Sequence, residues 1–335
     1  MKLEDIYKPI VDDLQKVEDS LRSAIREPEN PFILSMSDSL LKSSGKRLRP
    51  AIVILSERAS SAGGKNNCDH DELIQLAAAT ELIHMASLIH DDILDEAKSR
   101  RNKPSINAEF GDNISIIFGD FIYSKAFELI GKCRNSDLFE CLCSAIYVMC
   151  EGELTQVCQR GNVSLSKEHY LAVIAKKTAK LFAVCCQAGA IAGKHGFAVQ
   201  AALEKFGHNF GMAFQIIDDL EDILGEETVS GELSGQDIAV GDMTLPVLNL
   251  FELASPKIKK EIKDIFNSKK VNQNCLARIR EMLVNSNAID MTQKTALSYM
   301  DQARRSLDIL ENSDYKQSLN GLIDYITPKP SVFVK

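Results

Sequence analysis

Tryptophan is absent from this chain, and aromatic residues make up only 6% of its 335 positions. So few aromatic faces argue against a platform on which nucleic-acid bases stack. An excess of positive charge is missing too: 39 lysines and arginines face 47 aspartates and glutamates, for a net charge of -8. That balance disfavours nucleic acid and anionic membrane as electrostatic partners. An anionic substrate would have to meet cations gathered locally. The start, MKLEDIYKPIVDDLQKVEDSLRS, is charged and amphipathic and lacks a basic-then-apolar signal pattern. The longest near-apolar stretch in this reading, 181–193, is broken by Gln187 and too short to span a bilayer, so no transmembrane segment is expected. The nine cysteines form no CxxC pair and no His/Cys zinc spacing. Cys141/Cys143 and Cys185/Cys186 lie in apolar helical stretches and read as small core residues. An odd, irregular set of this kind fits a reducing cytoplasm.

What the chain has is helical periodicity almost from end to end. Ile6, Ile10, Leu14, Val17 and Leu21 form one stripe over residues about 3–25, and the PENP segment at 28–31 breaks it. The basic segment SSGKRLRP leads into an apolar helix over 50–59 with Pro50 suited to its first turn. SSAGGKNNCDHD reads as a loop ending in Asp69 or Asp71 as a helix cap. Helices are expected over 72–96, 112–132, 136–157, 167–194, 199–224, 244–254 and 256–268, with three more towards Tyr325. Residues 225–243, rich in glycine, serine and acids, read as a loop. No alternating strand pattern of useful length and no break in composition occur, so the expectation is an all-α single domain over 1–335.

Two acidic clusters end strongly apolar helices. One reads Leu-Ile-His-Asp-Asp-Ile-Leu-Asp-Glu over 88–96, the other Phe-Gln-Ile-Ile-Asp-Asp-Leu-Glu-Asp over 214–222. Both place carboxylates at i, i+1 and i+4, so Asp91 and Asp95 share a helix face, as do Asp218 and Asp222. Like charges at that spacing, set among residues that favour burial, are costly unless a cation compensates. An all-oxygen ligand set selects a hard ion, Mg²⁺ before Zn²⁺. Each cluster alone also fits a solvated helix end. Neither cluster has the twelve-residue loop of an EF-hand, and the Glu-x-x-His repeats of di-iron bundles do not occur. His90, beside the first cluster, reads as a core or supporting residue. The cations nearby indicate what a metal would hold. Residues 45–50 read Gly-Lys-Arg-Leu-Arg-Pro, Arg100 and Arg101 follow the first cluster, and Lys176, Lys177 and Thr178 lie on another helix. Mg²⁺ normally bridges carboxylates and substrate phosphate oxygens, and arginine matches phosphate through its planar fork.

Residues about 40–250 resemble the trans-isoprenyl diphosphate synthases (polyprenyl synthetases), with motifs in the expected order. These are GKRLRP at 45–50, ELIHMASLIHDDILDEAKSRRNKPS at 81–105, GDFIYSKAF at 119–127, KKTAKLF at 176–182 and FQIIDDLEDI at 214–223. The resemblance implies an isoprenoid-synthase-type bundle of helices around a deep central cavity, usually dimeric, with C-terminal helices over about 256–326. It implies an enzyme that joins isopentenyl diphosphate to an allylic diphosphate and builds a trans-polyprenyl diphosphate. By the same resemblance Asp91, Asp95 and Asp218 would hold about three Mg²⁺ ions on the allylic diphosphate, supported by Asp92, Asp219 and Asp222. Lys46, Arg49, His84 and Arg101 match the isopentenyl diphosphate site, and Arg100 would contact the allylic diphosphate. Lys177, Thr178 and Gln215 match residues that steady the departing diphosphate and the allylic cation. Ser87 and Ala86 are small where a bulky aromatic one turn before the first aspartate would block a growing tail. The expected product is therefore medium or long, beyond C15 and about C30–C45, and apolar enough for release at a membrane.

This sequence departs from the family in the loop after the second cluster. A pattern like GKxxGxD…GKxTLP is expected there, and Glu232 and Asp242 stand where the lysines belong. Anions in place of cations beside a bound polyanion weaken it by about a few kcal/mol at an effective dielectric of ~20. Three consequences are open: activity with poorer diphosphate affinity, substitution by a neighbouring base such as Lys180, or a low-activity partner subunit. Two other classes compare poorly. A terpene cyclase would lack the Lys46/Arg49/His84 set and carry more cavity aromatics. A non-catalytic scaffold would need no second diphosphate site.

Overall fold

The computed structural model describes residues 1–28, 30–42, 45–62, 68–101, 103–225, 235–268 and 271–327. The chain opens with α1 (Leu3–Tyr7), a 3₁₀ turn, α2 (Val11–Arg26), α3 (Pro31–Lys42) and α4 (Leu48–Ser60). Then come α5 (His70–Leu94), α6 (Ile106–Phe110), α7 (Asp112–Lys132), α8 (Ser136–Gln159), α9 (Lys167–Ile174), α10 (Lys180–Ala192) and α11 (Phe197–Leu224). The last six are α12 (Gln236–Val240), α13 (Leu245–Leu253), α14 (Pro256–Phe266), α15 (Gln273–Val284), α16 (Ala288–Ser306) and α17 (Asp314–Ile326). Among the described residues the extended structure is one antiparallel pair of two-residue strands, Ser99–Arg100 with Lys103–Pro104.

The chain forms two compact units. The first comprises Met1–Ile146, Leu181–Gly207 and Ser306–Leu322, the second Tyr147–Lys180, His208–Arg305 and Ile323–Lys335. In the first unit α5 is the central element, packed against α2, α4 and α7. Asp69 starts it: its carboxylate accepts from the backbone N–H of Asp71 and Glu72, satisfying two of the donors a helix N-terminus leaves open. The apolar run that follows is buried almost all round, Leu73, Leu76, Ala77, Ala78, Ala79, Leu82 and Ile83 having no solvent exposure. Each fully buried leucine or isoleucine contributes about 1.5–3 kcal/mol, and the alanines let neighbouring helices approach closely. Gly119 on α7 serves the same approach, because a Cβ there would lie 2.3 Å from Nε2 of His90. In the second unit α13 packs against α9, α14 and α15.

Three expectations need correction. The most extended apolar segment is α5, not 181–193. By length and composition α5 could cross a membrane, yet 72% of its most apolar window is buried inside the protein, as in a core helix. The helix expected over 167–194 is interrupted by one π-helical turn, Ala175–Ala179. Within the expected loop over 225–243, residues Gln236–Val240 form the short helix α12. Pro50, as the third residue of α4, stands in the first turn as expected, the helix starting at Leu48.

Candidate active site

The first acidic cluster lies at the C-terminal end of α5. Asp91 and Asp95 are partly exposed, whereas Asp92 is buried. Arg100 meets Asp92, donating to Oδ1 through Nε at 2.8 Å and through Nη2 at 2.7 Å. Burial pushes the Asp92 carboxyl up from its ordinary pKa, and the Arg100 bond opposes that shift. Asn107 completes the turn by donating to the Asp92 carbonyl. Arg100, expected to contact substrate directly, therefore also anchors the cluster.

Beside these groups is a pocket of about 540 Å³ lined by Arg47, Glu81, His84, Asp92, Arg100 and Arg101 among others. The basic segment 45–50 enters it through a left-handed turn at Arg47, φ +52°, and Arg101 adopts φ +53°. Non-glycine residues in that region are strained and cluster at functional sites. Gly45 permits the arrangement, since a Cβ there would stand 2.6 Å from Nη1 of Arg101. Arg47 is ion-paired to Glu18 and, at 2.8 Å, to Glu81. Arg49 is stacked on Phe182, its guanidinium carbon 4.5 Å from the ring centroid. Arg47 Nη2 and Arg49 Nε are buried and take no hydrogen-bond partner among the described residues. His84 is held well below the usual imidazole pKa, first by burial and then by Arg49, Arg100, Arg101 and Arg47, so it is neutral at pH 7. Lys46 is exposed. Buried guanidinium donors around a neutral imidazole suit a doubly charged anion.

The second cluster repeats the first in the other unit. On α11 Asp218 is exposed and Asp219 buried. Tyr170 Oη donates to Asp219 Oδ2 at 2.5 Å, and Gln215 Nε2 donates to Oδ1 at 2.6 Å. Thr178 Oγ1 in turn donates to Gln215 Oε1 at 2.7 Å. Burial raises the Asp219 carboxyl to about 7 against these two bonds. Asp222 accepts from the backbone N–H of Gly235, Gln236 and Asp237, which tethers α12 to the cluster. Burial, with Asp219, Asp222, Asp242 and Asp218 nearby, drives the Asp237 carboxyl well above its ordinary range. That concentration of carboxylates is the electrostatic condition a divalent cation relieves. A pocket of about 610 Å³ brings together Tyr170, Lys177, Thr178, Gln215, Asp219 and Asp237. Lys177 lies in the π turn and is ion-paired to Glu153 at 2.6 Å. Turns of this type recur at functional sites.

Asp242 lines that pocket and adds to the charge around Asp237, and its own carboxylate has partners in the protein. Its carboxylate is buried, accepts from Gln156 Nε2 at 2.6 Å and lies 3.6 Å from Nε of Arg160. The negative charge is met within the protein. Glu232 lies outside the described residues. Arg47 and Asp237, read in the sequence only as parts of the basic segment and the loop pattern, belong to these pockets, as do Glu81 and Tyr170, with Phe182 in support, and sequence reading did not single out those last three. Glu81 was within reach, sitting three residues before His84 in the quoted motif. Tyr170 carries no such signal. Among the described residues no three His, Cys, Asp or Glu gather closely enough to hold a metal ion by themselves.

Residues 30–283 match the family model for polyprenyl synthetases. Heptaprenyl diphosphate synthase component 2 of Bacillus subtilis is 33% identical over 97% of this chain and 90% of its own length. The short chain isoprenyl diphosphate synthase of Methanothermobacter thermautotrophicus is 33% identical over 93% of this chain and 95% of its own. Among solved structures, a Caulobacter crescentus polyprenyl synthase complexed with calcium and isoprenyl diphosphate superposes with a TM-score of 0.91 at 30% identity, covering 97% of both chains. Motifs, fold and comparisons agree: the chain belongs to the polyprenyl synthetase family and is a prenyltransferase of the all-α isoprenoid-synthase fold.

Proposed function

We propose that this enzyme condenses isopentenyl diphosphate with an allylic diphosphate and releases a trans-polyprenyl diphosphate longer than C15. The observation that carries the reading is the shared division of labour in the two acidic clusters. In each, the second aspartate is buried and locked by protein donors, Arg100 on Asp92 and Tyr170 with Gln215 on Asp219. The first, Asp91 or Asp218, stays within reach of solvent.

The cofactor of this reading is Mg²⁺, about three ions by family likeness. Asp91, Asp95 and Asp218 would be its ligands, while Asp92, Asp219 and Asp222 shape the helix ends that present them. Mg²⁺ takes one or two carboxylates and completes its shell with water and substrate phosphate, which suits carboxylates presented at helix ends. Bound there it would neutralise the charge that develops on the departing diphosphate. Lys46, Arg49, His84 and Arg101 bind the isopentenyl diphosphate. Arg100 and Lys177 add positive charge beside the allylic diphosphate, and Thr178 and Gln215 offer oxygen lone pairs to the allylic cation. Attack by the isopentenyl double bond then forms the new carbon–carbon bond, and the proton lost passes to the diphosphate.

The pairing of Asp242 removes part of the reason to read the chain as an inactive partner subunit. The purified chain alone, given labelled isopentenyl diphosphate, farnesyl diphosphate and Mg²⁺, is expected to yield a ladder of products extending past C15. Binding of both substrates without turnover would overturn the reading in favour of a subunit needing a partner.

The whole chain, 1–335, is read as one catalytic domain, because each unit is assembled from three separated segments and the family match runs through both. Its location is taken as the cytoplasm, in line with an odd, irregular set of cysteines. A homodimer is supported by α7, where Ile114, Ile116 and Ile117 are exposed to 38%, 45% and 69%. Ile117→Glu is expected to convert a species of twice the chain mass into a monomer in sedimentation at micromolar concentration. A wild-type chain that sediments as a monomer would remove the dimer from this account.

A further inference from the structure

Tyr170 lies outside the five segments that carry the family resemblance, and it is a buried residue at one end of a continuous chain of hydrogen bonds. The order is Tyr170 Oη to Asp219 Oδ2, Gln215 Nε2 to Asp219 Oδ1, and Thr178 Oγ1 to Gln215 Oε1. All four side chains line one pocket. Gln215 turns its amide nitrogen towards Asp219 and its oxygen towards Thr178. That oxygen takes the Thr178 hydrogen, which leaves the Thr178 lone pairs and the second lone pair of Gln215 Oε1 as the free end of the chain. Each dipole has its positive end towards Asp219 and its negative end outward. The outward end is electron-rich and carries no formal charge, which suits a transient carbocation that a free carboxylate would trap.

We infer that Tyr170 is a positioning residue for the prenyl-transfer step: its hydroxyl fixes Asp219 so that Gln215 and Thr178 hold their oxygen lone pairs towards the developing allylic cation. The inference rests on the prenyl-transfer reading of this pocket. Tyr170 touches neither substrate nor metal in this role and acts through Asp219. A tyrosine packed here only to fill space would need no hydroxyl, whereas this one makes a short bond to a buried carboxylate.

The test is Tyr170→Phe, which keeps the ring and deletes the donor, examined with two ligands of equal length. One is an allylic diphosphate analogue with an ammonium nitrogen at the carbon that becomes cationic. The other is its thio-diphosphate counterpart, which has carbon at that position and so lacks the positive charge. The variant should bind the ammonium analogue about tenfold more weakly and the thio-diphosphate within about twofold of wild type. In turnover kcat should fall about tenfold with KM for isopentenyl diphosphate unchanged, and the melting temperature should stay within a few degrees. Wild-type affinity for the ammonium analogue, or equal weakening of both ligands, would overturn the positioning role. A wild-type chain that binds neither analogue would instead overturn the prenyl-transfer reading and this inference with it.

Discussion

Replacing Asp91 or Asp218 with alanine is expected to lower kcat/KM by roughly three to five orders of magnitude, the scale seen when a main charge-stabilising element of phosphoryl chemistry is lost. The melting temperature should hardly change. Asp91 is partly exposed and Asp218 is exposed, so truncating either removes a side chain already in contact with solvent. The neighbouring aspartates should behave in the opposite way. Asp92→Ala leaves Arg100 without the carboxylate that now takes two of its N–H groups, and Asp219→Ala leaves Tyr170 and Gln215 with unanswered buried donors. Removing one partner of such a pair costs about 3–5 kcal/mol for a buried ion pair. The partial exposure of Arg100, whose side chain is 31% accessible, places Asp92→Ala towards or below the lower end. Thermal melts beside steady-state kinetics with saturating Mg²⁺ separate the two classes. If Asp91→Ala kept activity within about tenfold of wild type, the first cluster would not be the metal-bearing one.

The contrast also marks how far the sequence could be read. Apolar periodicity places nearly every long helix, because burial on one face or all round leaves a pattern at the helical repeat. Asp69 could be recognised as a cap because capping is local, acting over two or three residues. The π turn at Ala175–Ala179 could not, since a single extra residue in a turn leaves the hydrophobic stripe almost intact. Nor could α12: five residues have little helical tendency of their own, and this helix is fixed by the Asp222 carboxylate thirteen to fifteen residues earlier. The two compact units, each drawn from segments far apart in the chain, likewise depend on tertiary contacts that leave no composition break.

The site was legible to a similar degree. Both aspartate clusters and the basic segments stand out because charge among apolar residues is conspicuous in a sequence. Which aspartate of each pair is buried does not, because both share the same helix end and differ only in the face they present. Tyr170 reaches Asp219 across 49 positions and looks like any core tyrosine until the fold brings them together. The meaning of Asp242 also changed with the fold. As a letter it replaced a cation; in the structure it is the acceptor for Gln156 and lies beside Arg160.

Product length is where family membership gives least guidance. Relatives at the same 33% identity include a heptaprenyl synthase component and a short-chain synthase. The deciding feature should be local. A tail that starts at the metal-bound diphosphate near Asp91 and grows away from it runs back along α5, whose side chains tilt towards the N-terminus. One turn back are Ala86 and Ser87, both small; Ala86 is fully buried and Ser87 spends its hydroxyl on the His84 carbonyl. Neither blocks an apolar chain. Ala86→Phe is therefore expected to shift the main product from beyond C15 down to C15–C20, with the first condensation rate kept within about tenfold. The same ring forced into close-packed protein rather than a channel would destabilise the fold by about 1–3 kcal/mol and leave the surviving product ladder unchanged. Chromatography of the products beside a thermal melt separates these outcomes. A shorter ladder from a stable protein places the growing tail against α5 at Ala86; an unchanged ladder from a weakened one removes it from that face of the helix.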